Sequence, residues 1–442
     1  MSTQVVIENP SVAEAAPRWS LATRIAFRFC VVYFGLFCLS TQIITTLLNV
    51  PKVELPDPSA VPPLRPLIGF TAAHVFHLKV GAAFFEGTGS GDRPCDWVLL
   101  FLILVAALVG TLLWSALDRR RTNYSTLGRW VWLFFRFALA GQMFTYALVK
   151  MVPLQMPFPA LFTQIEPVGY QSPMAVLWNS IGAAPAYEIF AGSAEFLGGL
   201  LLLISRTRTL GALLCVADMV QVFWLNISYD VPVKILSFHL ILLALLLLAP
   251  EFRRVVNFLF LNRTAEARPA APLFRSARKN RIAAIVQVVF AVWLIGLNVY
   301  GSRVAWKNFG GGAPQPALYG IWDVEQQTID GQAHPPLLTD KARWRRILFD
   351  RYELMVGERM DDERVFYQAA VDTKAHTVTL SSRGDNPKKS TLAYTQPAAD
   401  RLTLDGAMEG HKLHMELRLY DKSQYLMVSR GFHWVSPVPF NR

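Results

Sequence analysis

Seven stretches of this 442-residue chain are apolar over about the length of a bilayer crossing, and nothing else in it constrains the fold as strongly. A hydrocarbon core about 30 Å thick takes about 20 helical residues to cross. A helix also satisfies its own backbone groups within one segment there. The stretches are 27–48, 97–117, 130–150, 187–205, 209–227, 232–249 and 282–301. The first is too long for the core of a cleavable leader and no small-residue cleavage site follows it, so it reads as an anchor. An eighth stretch, 67–85, is apolar but carries His74, His77 and Lys79. The expected architecture is a mainly α-helical polytopic membrane bundle of about seven spans. A tail over 1–26 precedes the transmembrane helical domain at 27–301.

The formal net charge is +11, which in a soluble chain would point to nucleic acid. Its distribution says otherwise. Residues 1–312 hold 26 Lys and Arg against 15 Asp and Glu, whereas 313–442 hold 17 of each. The excess sits with the membrane segments, so no nucleic-acid partner is expected, and the charge becomes an orientation signal. Basic loops mark the cytoplasmic side. Segment 118–129 has Arg119, Arg120, Arg121 and Arg129, the turn 205–209 has Arg206 and Arg208, and 250–281 has eight basic residues. Loops 151–186 and 226–231 are nearly free of Lys and Arg. Seven spans with the N-terminus inside place all three basic loops inside. An eighth crossing at 67–85 would push Arg119–Arg121 out, so that stretch is expected to lie at the interface or re-enter. Residues 313–442 then lie outside. This predicts a multi-pass protein of a bacterial cytoplasmic (inner) membrane, with the lipid bilayer as its first partner. Loop 250–281 also suits anionic headgroups, at about 1 kcal/mol per basic residue.

After a Gly/Pro linker at 302–316 the period changes. His411 to Leu419 alternates apolar and polar, the signature of a half-buried strand. Similar runs recur near 318–325, 345–356, 364–372, 376–382, 390–395, 401–405 and 425–435, separated by turns such as Arg383-Gly384-Asp385-Asn386-Pro387. About eight short strands in 317–442 predict an antiparallel β-barrel or sandwich in an extracytoplasmic domain. Leu318-Tyr319-Gly320-Ile321-Trp322-Asp323 at its start and Arg430-Gly431-Phe432-His433-Trp434 at its end resemble lipocalin-like barrels. That resemblance implies that Arg430 packs over Trp322, a contact worth about 0.5–2 kcal/mol. An eight-stranded barrel can be filled by its own side chains or hold a small apolar ligand. His411 and His414, three apart on a strand, point to opposite faces.

Ionisable residues inside spans are functional hypotheses by default. Arg136, Gln142, Tyr146 and Lys150 project into one arc of the third span. Glu195 has Ala191, Gly192, Gly198 and Gly199 at its helical neighbour positions, so another helix can come close over the carboxylate. Asp218 shares a face with Cys215 and Gln221. Counted from the cytoplasmic helix ends, Arg136 lies about 10 Å deep and Glu195 and Asp218 about 15 Å deep, which predicts that Arg136 reaches the carboxylates. The cluster is either a packing network or a proton- or quinone-linked site, the latter with quinone as its cofactor. His74, His77 and His239 are weaker candidates, the first two as a pair on one helical face. The scattered Cys30, Cys38, Cys95 and Cys215 build no disulfide framework or zinc site, and no metal centre is expected. Gly87-Thr88-Gly89-Ser90-Gly91-Asp92 lacks the Lys of a phosphate loop and reads as a flexible loop; Pro-rich 51–66 reads as a linker.

Phe190-Ala191-Gly192-Ser193-Ala194-Glu195-Phe196-Leu197-Gly198-Gly199-Leu200-Leu201, then Arg206-Thr207-Arg208 and a helix containing Gly211, resembles the DoxX family of small four-helix membrane proteins. The preceding span, Arg136 through Lys150, fits the family's first helix, so the likeness covers about 129–250. It implies an accessory component of a membrane redox (quinone-linked) or oxidative-stress system, with a membrane or periplasmic redox partner. The extra spans and the β-domain depart from the four-helix pattern. The alternative is a non-enzymatic ligand- or partner-binding envelope protein whose barrel does the binding. A transporter is a third reading, for which no internal repeat speaks.

Overall fold

A computed structural model of the chain describes residues 18–50, 53, 55, 56, 61–264, 271–382, 384 and 387–441. Most of the N-terminal tail, part of the 51–66 linker, the middle of 250–281, and Arg383, Asp385 and Asn386 of the turn lie outside the described residues. In chain order the helices are α1 (Leu21–Ser40), α2 (Gln42–Leu47), α3 (Leu64–His74), α4 (Pro94–Leu117), α5 (Ser125–Met151), α6 (Leu161–Gln164) and α7 (Pro173–Gly182). They continue with α8 (Pro185–Leu203), α9 (Arg208–Ser228), α10 (Lys234–Leu248), α11 (Phe252–Leu259), α12 (Ala277–Asn308) and, last, α13 (Leu426–Ser429). Two compact units result, Met1–Met151 with Phe190–Gly301, and Val152–Ile189 with Ser302–Arg442.

The first unit is the helical bundle. Among the described residues, seven helices are long and apolar enough to cross a membrane: α1, α4, α5, α8, α9, α10 continued by α11, and α12. In their most apolar windows α5 is 61% buried and α10–α11 56%, against 6% for α12. The first two are therefore the bundle's centre, and α12 leaves most of its apolar surface uncovered. The span expected at 27–48 breaks instead at Thr41, whose backbone is extended. The Ser40 and Thr41 hydroxyls donate to the Leu36 and Phe37 carbonyls, each at 2.7 Å, and so take over the end of the ladder. The expected linker is also shorter than read, because α12 runs on to Asn308.

The stretch 67–85 makes only the 11-residue α3 and a 3-10 turn at Ala82–Phe85. At about 1.5 Å per residue α3 spans roughly 16 Å, too short to cross. The segment 87–92 is less free than a flexible loop. Asp92 accepts the backbone N–H of Lys234 (2.8 Å) and of Ile235 (2.9 Å), capping α10 from 142 residues away. At the opposite end of the bundle Arg28, 2% exposed, donates to the Tyr124 hydroxyl (2.9 Å), Ser115 Oγ (2.8 Å) and the Asp118 carbonyl (2.9 Å).

The second unit is an eight-stranded antiparallel barrel: β1 (Gly320–Ile329), β2 (Gln332–Ala333), β3 (Trp344–Asp350), β4 (Leu354–Arg359), β5 (Arg364–Asp372), β6 (Thr377–Ser382), β7 (Lys389–Ala398), β8 (Arg401–Met408) and β9 (His411–Leu419). Strands β3 to β9 pair in sequence and β9 closes on β1; two-residue β2 is a spur on β1. The run 345–356 is thus two strands, joined by a turn in which Tyr352 (φ 62°) and Glu353 (φ 53°) are left-handed. Without a glycine there, the turn left no sign in the sequence. Closure of β9 on β1 leaves no edge for 425–435, where the regular element is the short α13, Leu426–Ser429, instead of a strand.

Inward positions pack into one core. Trp322, Trp344, Ile347, Phe349, Met355 and Tyr367 belong to one buried cluster with the inner residues of β6 to β9. Gly357 is required by this packing, since a Cβ there would lie 1.9 Å from Trp344 Cζ3. Trp322 is 2% exposed and its indole N–H donates to the Leu318 carbonyl at 2.9 Å. Arg430 does not cover it: beyond β9, its guanidinium stands 4.2 Å from the Phe440 ring centroid. The buried arginine is Arg343, 1% exposed, which donates to the Val324 and Glu325 carbonyls (2.8 and 3.1 Å) at the bulge of β1.

On the outside, Ile321, Leu348, Val356 and Phe366 form one row across β1, β3, β4 and β5. The segment between α5 and α8 lies over that row. Leu161 is fully buried against it, Phe162 meets Phe366 edge-on at 5.8 Å, and the Leu161 N–H donates to Asp350 Oδ2 at 2.7 Å. Glu166 pairs with Arg364 at 2.9 Å. Burial holds the Asp350 carboxyl above its ordinary range.

Candidate functional site

The site is built on α5 and α8, which touch through glycine. A Cβ at Gly192 would lie 2.7 Å from the Ala147 carbonyl oxygen and from Lys150 Cβ, and one at Gly199 would meet Phe144 at 3.0 Å. These contacts fix the axial offset of the two helices and set Glu195 beside the last turn of α5. Lys150 Nζ donates to Glu195 Oε1, and the two side chains are 8% and 3% exposed. On the other flank α9 closes in: a Cβ at Gly198 would sit 3.0 Å from Cys215 Sγ and 3.5 Å from Asp218 Oδ2. Asp218 is in electrostatic reach of both Glu195 and Lys150. Glu195 Oε2 and Asp218 Oδ2 are buried without a hydrogen-bond partner among the described residues.

Arg136 is elsewhere. Its guanidinium donates to Gln287 Oε1 of α12 at 2.8 Å, and its charged neighbour is Arg208. The depth count assumed level helix ends. In fact α5 is 27 residues long, and Gly199 of α8 lies against Met143 and Phe144, so α8 ends well before the first turns of α5. Arg136 lies 14 residues from Lys150, about 21 Å along α5. Near it Arg208 and Arg254 bind buried Glu251 at 3.1 and 3.3 Å.

Gln142 and Tyr146, on the same arc of α5 as Lys150, lead to α2, which sequence reasoning passed over. Gln42 Nε2 is 3.0 Å from both Gln142 Oε1 and the Tyr146 hydroxyl, and Gln142 Nε2 is 2.8 Å from Thr46 Oγ1. Tyr146 is in turn in electrostatic reach of Glu195. The spacing of four between Gln42 and Thr46 was the available signal, since it puts two polar groups on one face of α2.

Gln42 also borders a cavity of about 320 Å³ where α1 ends and α4 and α10 begin. That lies at the lower end of the range for small-molecule sites. Phe37, Leu99, Leu100, Ile103 and Leu236 form its apolar wall, and Ser40, Thr41, Gln42 and Thr45 its polar wall. Arg93 and Asp96 at its rim neutralise one another through a two-point contact, each bond 2.9 Å.

His239 belongs to the α1–α10 contact. Its Nδ1 is 2.6 Å from the Ile235 carbonyl, so that nitrogen carries the proton, and Nε2 accepts from the Tyr33 hydroxyl at 2.8 Å. Phe37 stacks on the ring at 4.0 Å. His74 and His77 do not share a helical face, because α3 ends at His74 and His77 follows in left-handed backbone (φ 54°). Among the described residues no three His, Cys, Asp or Glu side chains converge on a metal-sized site.

No family model and no solved structure matches the chain. A protein of Bacillus subtilis (strain 168) described as uncharacterized protein YwoB is 34% identical over 123 residues, which are 28% of this chain and 78% of YwoB. Through that segment the chain belongs to the family of YwoB.

Proposed function

We propose that the bundle is the proton-handling membrane component of a quinone-linked redox or oxidative-stress system, built on a DoxX-like core at 129–250. The observation that carries this reading is the Lys150–Glu195–Asp218 cluster: one cation, two carboxylates, and a buried oxygen on each carboxylate with no partner among the described residues. A buried cluster is stable near neutrality, so a proton or a bound donor completes it. A quinone supplies two-electron chemistry coupled to proton uptake and release. The residues of this chain fit such a group: Glu195 and Asp218 hold or yield the proton, Lys150 balances the charge, and Tyr146 with Gln42 provides a polar route from the cavity. The basic loops support an N-terminus in the cytoplasm of a bacterial cell with the barrel outside the cytoplasmic membrane, where a periplasmic redox partner would meet it. A barrel whose inward side chains pack into one buried cluster favours this over capture of a ligand inside the barrel.

The test is extraction and spectroscopy of the protein purified from its own membranes, together with proton uptake on quinone reduction in proteoliposomes. Wild-type protein is expected to carry quinone, and Glu195→Gln to lose the proton uptake while staying folded. Absence of quinone, or unchanged uptake in Glu195→Gln, would overturn the reading.

A further inference from the structure

The amide pair that links the cavity to the helix core has two equivalent settings. As placed, Gln42 turns its nitrogen to Gln142 Oε1 and the Tyr146 hydroxyl, while Gln142 turns its nitrogen to Thr46 Oγ1. If both amides rotate by half a turn, Gln142 donates to Gln42, and the Thr46 and Tyr146 hydroxyls become donors. Both hydroxyls can donate or accept, so every contact survives. The groups at the two ends of the relay are thus what make it reversible. In one setting the carbonyl of Gln42 is left free of the relay, and in the other its N–H₂, and Gln42 lines the cavity.

Ser40, Thr41 and Thr45 offer a ligand acceptors alone, so beside them the group that can switch to donating is Gln42. The hydroxyl hydrogens of Ser40, Thr41 and Thr45 are committed to backbone carbonyls, and Arg93 is held by Asp96. The site carries no net charge, and Phe37, Leu99, Leu100, Ile103 and Leu236 line the rest of it. We infer that this cavity binds the head of a neutral, ring-bearing amphipathic molecule, and that the Gln42–Gln142 relay lets it accept either a ring carbonyl or a ring hydroxyl at the same position. The identity of the occupant as a cyclic dione and its dihydroxy form rests on the quinone-linked reading; the two-way relay rests on the geometry alone.

The test is binding of a short-tailed benzoquinone, its hydroquinone, and the hydroquinone dimethyl ether to the full chain in nanodiscs. Wild type is expected to bind the first two within about tenfold of each other, and the hydroquinone about five- to tenfold more tightly than the ether, the worth of one neutral hydrogen bond. Gln42 is exposed, so Gln42→Glu puts an acceptor-only carboxylate there. It should keep the hydroquinone and lose about tenfold or more for the quinone. Gln42→Leu should weaken both, and Thr45→Trp, which fills the cavity from its polar wall, should abolish both. Thermal melts establish that each variant is folded, and Leu100→Trp on the apolar wall is the second filling variant. A large wild-type preference for one redox form, equal binding of the ether, or undiminished binding in both filled variants would overturn the inference. Glu195→Gln separates the two proposals: unchanged ligand binding with no proton uptake leaves the cavity assignment standing and isolates the proton role, whereas uptake without binding at this cavity does the reverse.

Discussion

Replacing Lys150 by Met removes the cation and leaves Glu195 nearly as buried as before, since the two side chains are 8% and 3% exposed. The unpaired carboxylate has one inexpensive escape, which is to be buried neutral. Bringing a carboxyl of ordinary pKa, about 4.3, to the neutral form at pH 7 costs about 3.7 kcal/mol, and at pH 5 about 1 kcal/mol. That ceiling agrees with the about 3–5 kcal/mol lost when one member of a buried pair is removed. Lys150→Met is therefore expected to lose about 3–4 kcal/mol at pH 7 and most of that loss should vanish at pH 5. Glu195→Gln added to Lys150→Met removes the charge problem and should return the protein to within about 1.5 kcal/mol of wild type. Reversible unfolding in detergent micelles, run at both pH values on the four proteins of the cycle, measures each term. A Lys150→Met penalty that is the same at pH 5 as at pH 7 would refute the reasoning, because the cost would then be lost packing of the lysine stem. So would a double variant as unstable as the single one.

Three further outcomes follow from the second unit. Gly357→Ala drives a Cβ into the Trp344 ring, which is itself buried. The barrel's melting in the full chain should register a loss of about 3 kcal/mol, partly restored by Trp344→Leu. Leu161→Ala opens a cavity in the outer row on the barrel, at about 2–5 kcal/mol, and should make residues 152–189 markedly more sensitive to limited proteolysis. An unchanged digestion pattern would mean that the segment is not held there. In acid, the His334 ring hydrogen-bonded to Asp340 at 2.6 Å holds that carboxyl below the usual carboxylate range, and His411 does the same to Asp330. A depressed carboxylate pKa stabilises the fold above the unfolded value, and the contribution is lost as pH falls through the folded one. Asp340→Asn with Asp330→Asn should therefore flatten the acid limb of the barrel's stability curve below about pH 4, and a limb as steep as that of wild type would count against both pairs.

The spans were legible because hydropathy averages over many residues, and the barrel because alternation repeats along every strand. What failed were readings that depended on one or two residues. His74 and His77 share a face only if the helix continues, and it ends between them. Tyr352 and Glu353 turn the chain in a left-handed conformation that neither residue type announces. The expectation that Arg136 meets Glu195 shows the general difficulty. Sequence specifies which face of α5 is polar and how far each residue lies from the end of its own helix, but partner choice depends on how far α5 and α8 slide past one another. That offset was encoded after all, in the seven-residue spacing of Gly192 and Gly199, which seat against Lys150 and Phe144. Small residues admit large ones only at matching heights, so fitting those two glycines to the bulky positions of α5 selects Lys150 over Arg136 as the cation beside Glu195. The glycines were noticed for allowing close approach. Their greater information was the register they impose.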